Sequence, residues 1–343
     1  MSELTIASWP GYGASHNAFV SIFLDGLAEN GVTVKSCDRV EDIAEVEADV
    51  LLLHWAEKVF WESSSRWQVL SKMARLIASI GRRRRAAKVV WLVHNTVPHD
   101  ARAFPRMTWN PFISALGQRV DGFLTLSPGT IETVRSKIPV MADKPATHVW
   151  HPAYSNAILT TESRIAARTT LGWETNDRVL GYCGQIRPYK GVEDLVRVFT
   201  ATSDPDLRLY IAGRPSGSDL AKRLEEEAAS DPRVTLKLKD LPAEEFRTAL
   251  GVCDVIVAPL QTYLHSGSII HSLSAARPVL TPATPFANAL NDVLDPGWMR
   301  LYDEHLTPNT LEYHSAVQAG LPDLSQFAPK AVGQAAAAFF RSL

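Results

Sequence analysis

Residues 182–191 read Tyr-Cys-Gly-Gln-Ile-Arg-Pro-Tyr-Lys-Gly and lie between an apolar, β-branched run and an amphipathic stretch. Arg187 and Lys190 stand three residues apart there, with Pro188 and Tyr189 stiffening the loop between them. Two cations beside the free N–H groups and positive dipole end of a helix suit a diphosphate, because Arg forks across oxygens while Lys acts as a point charge. The bland alternative is a solvated basic turn. A second loop, Ser266-Gly267-Ser268, opens another helical stretch, where small residues let hydroxyls and N–H groups approach an anion or simply cap the helix. Neither loop is a Walker sequence. Gly11-Tyr12-Gly13 lacks the third glycine and downstream acid of a dinucleotide fingerprint, so neither a P-loop NTPase nor an NAD enzyme is expected.

Something must hold those loops in place. Short apolar runs rich in β-branched residues alternate with helix-length amphipathic stretches along the whole chain, the pattern of βα units and parallel sheets. Strands are expected at 4–8, 32–36, 49–53, 88–93, 122–126 and 147–150, then at 178–182, 207–212, 234–237, 255–258 and 278–281. Helices are expected at 17–29 and 66–80, then at 192–201, 218–230, 243–252 and 268–275. The polar stretch 155–170 reads as a linker between two wound halves. Ligands of open parallel sheets bind beyond the carboxyl ends of the strands. Those ends carry His54-Trp55, His94-Asn95 and His151-Pro152 in the first half, and Gly184-Gln185 and Gly213-Arg214 in the second. Any one histidine could merely satisfy buried backbone. Three at aligned ends predict a functional cleft between two facing α/β domains.

Composition narrows the class. The chain has 343 residues, 46% hydrophobic and 21% charged, enough for two globular domains. Its net charge of −2 conceals a stretch, 66–119, with eleven Lys/Arg against the single acid Asp100. Such asymmetry predicts an anionic partner on one surface. Cys37, Cys183 and Cys253 are odd in number and far apart, which fits neither a disulfide framework nor a metal spacing. The opening residues carry no basic-then-apolar leader, and no apolar run approaches ~18 residues, so a cytoplasmic protein is expected.

These residues resemble the GT-B glycosyltransferases, which have two Rossmann-like domains and hold a nucleotide sugar mainly by the second. The string 182–191 and the later Ser266-Gly267-Ser268 with Ala276-Arg277-Pro278-Val279 look like the donor-diphosphate loops of that group. In the first half, Asn17-Ala18-Phe19 is similar to an Asn-Pro-Tyr helix start. His54-Trp55-Ala56-Glu57 is similar to a His-Trp-Pro-Glu strand end, and the run from His94-Asn95 to His99-Asp100 to a His-Asn-x-x-Pro-His-Glu loop. With Pro296-Gly297-Trp298 and Pro322-Asp323-Leu324-Ser325, the set looks most like bacterial exopolysaccharide mannosyltransferases of the xanthan type. The resemblance implies an acceptor-side domain over 1–155, a donor domain over 156–324 and a C-terminal helix within 325–343 that packs back on the first domain. It implies donor contacts from Gly184, Gln185, Arg187, Lys190, Gly213, Arg214, Tyr263, Ser266, Gly267, Ser268 and His271. Many retaining members carry Glu-x7-Glu before the last donor helix, and the corresponding positions here are Tyr263 and His271, a departure that weakens a retaining mechanism. Acceptor-side positions are Gly11, Tyr12, Asn17, His54, Trp55, Asn95 and His151.

The xanthan-type likeness implies inverting transfer of mannose from GDP-mannose to a polyprenyl-diphosphate-linked oligosaccharide. Inversion needs a general base near the acceptor hydroxyl and positive groups on the leaving diphosphate. Candidates for the base are Asp100, then Glu57, with the histidines His54, His94 and His99 behind them. Arg187 and Lys190 can do the charge work, so neither a metal nor another cofactor is expected. The alternatives are a UDP-sugar transferase of the same fold, a nucleotide-sugar epimerase, or a non-catalytic sugar-nucleotide-binding partner. In 66–80, Trp67, Leu70, Met73, Ile77 and Ile80 recur at helical spacing and are expected to face the core. That stretch runs into Arg82, Arg83, Arg84 and Arg85. The tetra-arginine reads either as a solvated helix end or as a peripheral contact with the anionic inner face of the cell membrane. No aromatic interleaving accompanies it, so nucleic acid is not an expected partner.

Overall fold

The computed structural model describes residues 3–13, 18–61, 65–97, 106–155, 157–174, 176–260 and 263–343. The chain divides into two compact units, one made of residues up to Pro152 with Ser325–Leu343, the other of Ala153–Leu324.

The first unit runs β1 (Leu4–Trp9), α1 (Ala18–Ala28), β2 (Val32–Ser36), α2 (Asp42–Glu45), β3 (Val50–Leu53), α3 (Lys58–Trp61), α4 (Arg66–Arg83), β4 (Lys88–Leu92), α5 (Arg106–Gly117), β5 (Gly122–Thr125), α6 (Ile131–Lys137) and β6 (Ala146–His148). Its strands form one parallel sheet in the order β2-β1-β3-β4-β5-β6. Val50, Leu51, Leu52 and Leu53 are all buried, as a strand covered on both faces requires. The pairing continues past the strand, since His54 N donates to Trp9 O at 2.8 Å. This hydrogen bond fixes where the residues after β3 emerge.

The second unit runs α7 (Thr161–Thr170), β7 (Arg178–Cys183), α8 (Val192–Thr200), β8 (Leu207–Ala212), α9 (Ser218–Ala228), β9 (Val234–Lys237), α10 (Ala243–Val252), β10 (Val255–Val257), α11 (Gly267–Ser274), β11 (Val279–Pro282), α12 (Pro285–Asn291), β12 (Met299–Tyr302) and α13 (Pro308–Tyr313). Its six parallel strands take the order β12-β11-β10-β7-β8-β9. Beyond it, α14 (Pro329–Ser342) belongs to the first unit and lies against α1. The two backbones nearly touch: a Cβ on Gly333 would sit 2.0 Å from Gly26 O, and one on Gly26 would sit 2.1 Å from Pro329 O.

Two expectations are corrected here. The stretch read as a linker contains α7, capped by the Thr160 hydroxyl accepting from Ser163 N at 3.2 Å. Arg168 Nη2 donates to Asp254 Oδ2 at 2.6 Å and Arg164 pairs with the other oxygen of the same buried carboxylate. Asp254 Oδ2 also accepts from Val179 N at 2.8 Å, which ties α7 to β7 and β10. Charge rather than an apolar stripe faces this helix inward, which is why its pattern read as linker. The buried residues of α4 are Val69, Met73, Leu76, Ser79 and Ile80, whereas Trp67 and Leu70 turn outward at 69% and 42% exposure. At its end, Arg83 is half-buried and donates to Ala48 O at 2.5 Å, and Arg84 lies 4.0 Å from Asp121. The tetra-arginine is therefore partly absorbed into the fold.

Candidate functional site

In the second unit, the loops after β7 and β8 are stitched together. Gly184 N donates to Ala212 O at 2.9 Å, Ile186 N to Arg214 O at 3.0 Å and Ser216 N to Ile186 O at 3.0 Å. The contact is so close that a Cβ on Gly213 (φ 148°) would lie 1.8 Å from Gly184 O. Only glycine fits there. The paired loops enclose a cavity of about 300 Å³ lined by Gln185, Ile186, Arg187, Arg214, Pro215, Ser216 and Gly217. Beneath it, the buried Tyr182 hydroxyl donates to Gln185 O at 2.8 Å, and Arg187 Nη2 donates to Gln185 Oε1 at 3.2 Å. Lys190 is half-buried, and desolvation, with Arg187 adding repulsion, brings its pKa down to about 8. Arg214 pairs with Asp240 at 2.7 Å.

From Lys190 the chain turns through Gly191 (φ 70°), which packs so closely on the end of β10 that a Cβ would lie 3.0 Å from Pro259 O. Ser266 caps α11, its Oγ accepting from Ile269 N at 3.4 Å and lying 2.9 Å from Ser268 Oγ. The two positions that replace Glu-x7-Glu are engaged in packing. Tyr263 hydroxyl bonds Thr281 Oγ1 at 3.2 Å. His271 stacks on Tyr154 with ring centroids 4.0 Å apart, and burial pushes its pKa down to about 4.

In the first unit, the three strand-end histidines do converge. Phe19 of α1 lies edge-on to His54, His94 and His151 at centroid distances of 6.0, 4.9 and 4.8 Å. His54 Nδ1 and His94 Nε2 are 3.3 Å apart, and Trp55 stacks on His94 at 4.1 Å. His151 Nδ1 lies 2.9 Å from Pro152 O, so that nitrogen carries the proton. All three rings are buried, and desolvation holds the His54 pKa down to about 3. Beside them, Glu57 is fully buried and its Oε1 accepts from Asn95 Nδ2 at 2.5 Å, while Oε2 has no hydrogen-bond partner. Burial pushes the Glu57 carboxyl up to about 7. Among the described residues no group of three or more His, Cys, Asp or Glu is placed to hold a metal ion.

Comparison with known proteins gives this geometry its chemistry. Residues 177–311 match the family described as glycosyl transferases group 1. The chain is 28% identical over 285 residues to the GDP-mannose:glycolipid 4-beta-D-mannosyltransferase of Xanthomonas campestris pv. campestris, covering 82% of this chain and 73% of that protein. It is 26% identical over 277 residues to the D-inositol 3-phosphate glycosyltransferase of Mycolicibacterium smegmatis, covering 76% and 59% respectively. The Anabaena protein Alr3699/HepE, solved in complex with UDP-glucose, superposes with a TM-score of 0.69 at 12% identity, covering 99% of this chain and 100% of that one. Residues 177–311 form a glycosyl transferase group 1 domain in a chain with the GT-B fold.

The family match covers the two stitched loops of this glycosyltransferase, the segment that contains Arg187, Lys190 and Ser266. Of the expected acceptor-side residues, Gly11 and Tyr12 are bound up with β2 and α1: Gly11 N donates to Cys37 O at 3.0 Å and Tyr12 hydroxyl to Asp25 Oδ1 at 3.0 Å. Asn17, His99 and Asp100 lie outside the described residues. Sequence reasoning missed Phe19 as the hub of the histidines, and Pro215 and Ser216 as part of the cavity. The strand-end rule stopped one residue after Gly213, although Ser216-Gly217 immediately before a helix carries the same small-residue signal as Ser266-Gly267.

Proposed function

We propose that this glycosyltransferase transfers mannose with inversion from GDP-mannose to a polyprenyl-diphosphate-linked oligosaccharide, in exopolysaccharide synthesis at the inner face of the cell membrane. The observation that carries the reading is the similarity to the Xanthomonas mannosyltransferase across 82% of this chain. On this reading the donor-diphosphate groups are Arg187, Lys190 and the N–H groups and hydroxyls opening α11. They stabilise negative charge as the bond from the anomeric carbon to the diphosphate oxygen breaks. The acceptor hydroxyl oxygen forms the new bond to that carbon from the opposite face, and its proton passes to a general base.

We assign the base to Asp100. Glu57 is fully buried and held by Asn95, which supports a positioning role for it at the end of β3 rather than contact with an acceptor. No metal is invoked, because the loop cations carry the charge work. No helix among the described residues is long and apolar enough to cross a membrane. Attachment is assigned to electrostatic contact through Arg82, Arg84 and Arg85, exposed at the end of α4.

The test is product analysis with GDP-mannose or UDP-glucose and a lipid-linked oligosaccharide acceptor, the anomeric configuration being read by NMR. A β-mannoside from GDP-mannose alone is expected, and Asp100→Asn should lower turnover by a factor on the order of 10²–10⁴ while sparing donor binding. Transfer from UDP-glucose only, or an α-linked product, would overturn the reading.

A further inference from the structure

We propose that Asn95 accepts a hydrogen bond from a hydroxyl of the acceptor sugar, and that the buried Glu57 is the positioning residue that holds the Asn95 carboxamide for it. The inference deepens the acceptor reading proposed above and rests on it for the identity of the ligand. Both residues stand at the carboxyl end of the first parallel sheet, the end at which such sheets bind ligands. Glu57 follows β3 by four residues, Asn95 follows β4 by three, and the two strands are hydrogen-bonded neighbours. Both loops are pinned. Lys58 N donates to Trp55 O at 2.8 Å and closes the turn that contains Glu57, while Val93 N donates to Leu124 O at 2.9 Å and carries the β4 pairing up to His94. Trp55 stacks on His94 at 4.1 Å and joins the two loops. Across this joint Asn95 Nδ2 donates to Glu57 Oε1.

The two partners differ in exposure. Glu57 is fully buried, whereas Asn95 is partly open. A molecule reaching this end of the sheet therefore meets the carboxamide and not the carboxyl. With Nδ2 committed to Glu57, Oδ1 is the atom of the carboxamide left to accept a hydrogen bond. A neutral carbonyl oxygen accepts from a hydroxyl and repels a phosphate or a carboxylate, so the feature it recognises is a sugar hydroxyl and not the diphosphate of the carrier. The loops assigned to the donor diphosphate belong to the other unit, and the hydroxyl is accordingly assigned to the acceptor sugar.

Stability does not account for the carboxyl group. Glu57 Oε2 is buried with no hydrogen-bond partner, and an apolar side chain of similar volume would avoid that cost. A polar group kept at a cost to the fold, with a partly open amide as its side-chain partner, is explained by the orientation it gives that amide.

The test measures acceptor and donor kinetics of the whole protein with the lipid-linked oligosaccharide of the product assay, using whichever of GDP-mannose and UDP-glucose supports transfer. Asn95→Ala should raise KM for the acceptor about five- to ten-fold, one hydrogen bond being lost, and leave KM for the donor unchanged. Glu57→Leu should do the same through Asn95 while melting no lower than wild type. Glu57→Gln, which keeps a carbonyl oxygen for Nδ2, should restore most of the loss. The double variant Asn95→Ala with Glu57→Leu should be no worse than Asn95→Ala alone, because the carboxyl acts through the amide. Additive losses in the double variant, an acceptor KM indifferent to Asn95→Ala, or a rise confined to the donor KM would each overturn the proposal. Transfer from UDP-glucose with the expected Asn95 effects would instead overturn the proposed function and leave this assignment standing. A β-mannoside from GDP-mannose with none of these effects would do the reverse.

Discussion

Asn95 Nδ2 donates to Glu57 Oε1 at 2.5 Å, and this carboxamide is the polar side chain that meets a carboxyl group buried at 0% exposure. A neutral donor cannot offset the loss of water around a carboxylate, so burial dominates and the pKa rises from 4.5 to about 7.

The sign of the resulting pH dependence follows. Between about 4.5 and about 7 the folded chain holds a proton on Glu57 that the unfolded chain has lost. The contribution of this group to stability therefore falls as pH rises through that window and is constant above it. Glu57→Gln should remove the slope, leaving the variant more stable than wild type by about 3 kcal/mol at high pH and by little at low pH. Urea unfolding at pH 5 and pH 8 measures this, and an unchanged difference between the two values would refute it.

On the proposed donor assignment, Lys190 makes diphosphate affinity pH-dependent in the opposite region. Its pKa of about 8 means that the free protein loses this cation as pH rises through 8. GDP affinity should decline above that point, with proton uptake on binding visible by calorimetry in buffers of different ionisation enthalpy. Lys190→Arg should flatten the profile, and Arg187→Ala should weaken GDP roughly ten-fold at neutral pH. A flat wild-type profile would remove Lys190 from the site.

Gly213→Ala should destabilise the second unit by more than about 3 kcal/mol. The added carbon meets Gly184 O at 1.8 Å, and the backbone cannot yield because Gly213 N is bonded to Lys237 O at 3.0 Å. Gly217→Ala is the control, since its Cβ meets nothing within 4 Å and its backbone is extended. Thermal unfolding of the two variants should differ widely.

Asp254→Asn should cost about 3–5 kcal/mol, because it leaves the buried Arg168 guanidinium facing a neutral amide where its carboxylate partner stood. Comparable melting of variant and wild type would show that α7 is held by its other contacts.

What could be read from the sequence depended on how each element is held. Strands such as β2, β8 and β9 were legible to the residue: β8 is buried along nearly its whole length and reads as an apolar run, whereas the edge strands β2 and β9 were marked by the alternating β-branched residues of Val32-Thr33-Val34 and Val234-Thr235. The loops after β7 and β8 were legible because only glycine tolerates the approach of Gly213 to Gly184. The helix α7 was not, since Arg164 and Arg168 face inward on Asp254 where a hydrophobic stripe was sought. The strand β12 was obscured because its neighbour Trp298 read as part of a motif. On α4 the period was read correctly and the phase only in part: Met73 and Ile80 face inward as expected, but Val69 faces inward and Leu70 outward, one residue and about 100° apart. The histidines were singled out as aligned, but their burial around Phe19 is a tertiary fact that no local pattern contains.

The near-contact of Gly26 with Gly333 sets an order of assembly. A ribosome makes α1 roughly 300 residues before α14, so the sheet of the first unit waits, with one helix of its cover missing, while Ala153–Leu324 is synthesised whole. The second unit can reach its native form during translation, and the first is completed only when α14 arrives. Chaperone demand should therefore concentrate on α1, and a bulky residue at position 26 or 333 would act as a defect in biogenesis before it acted on catalysis.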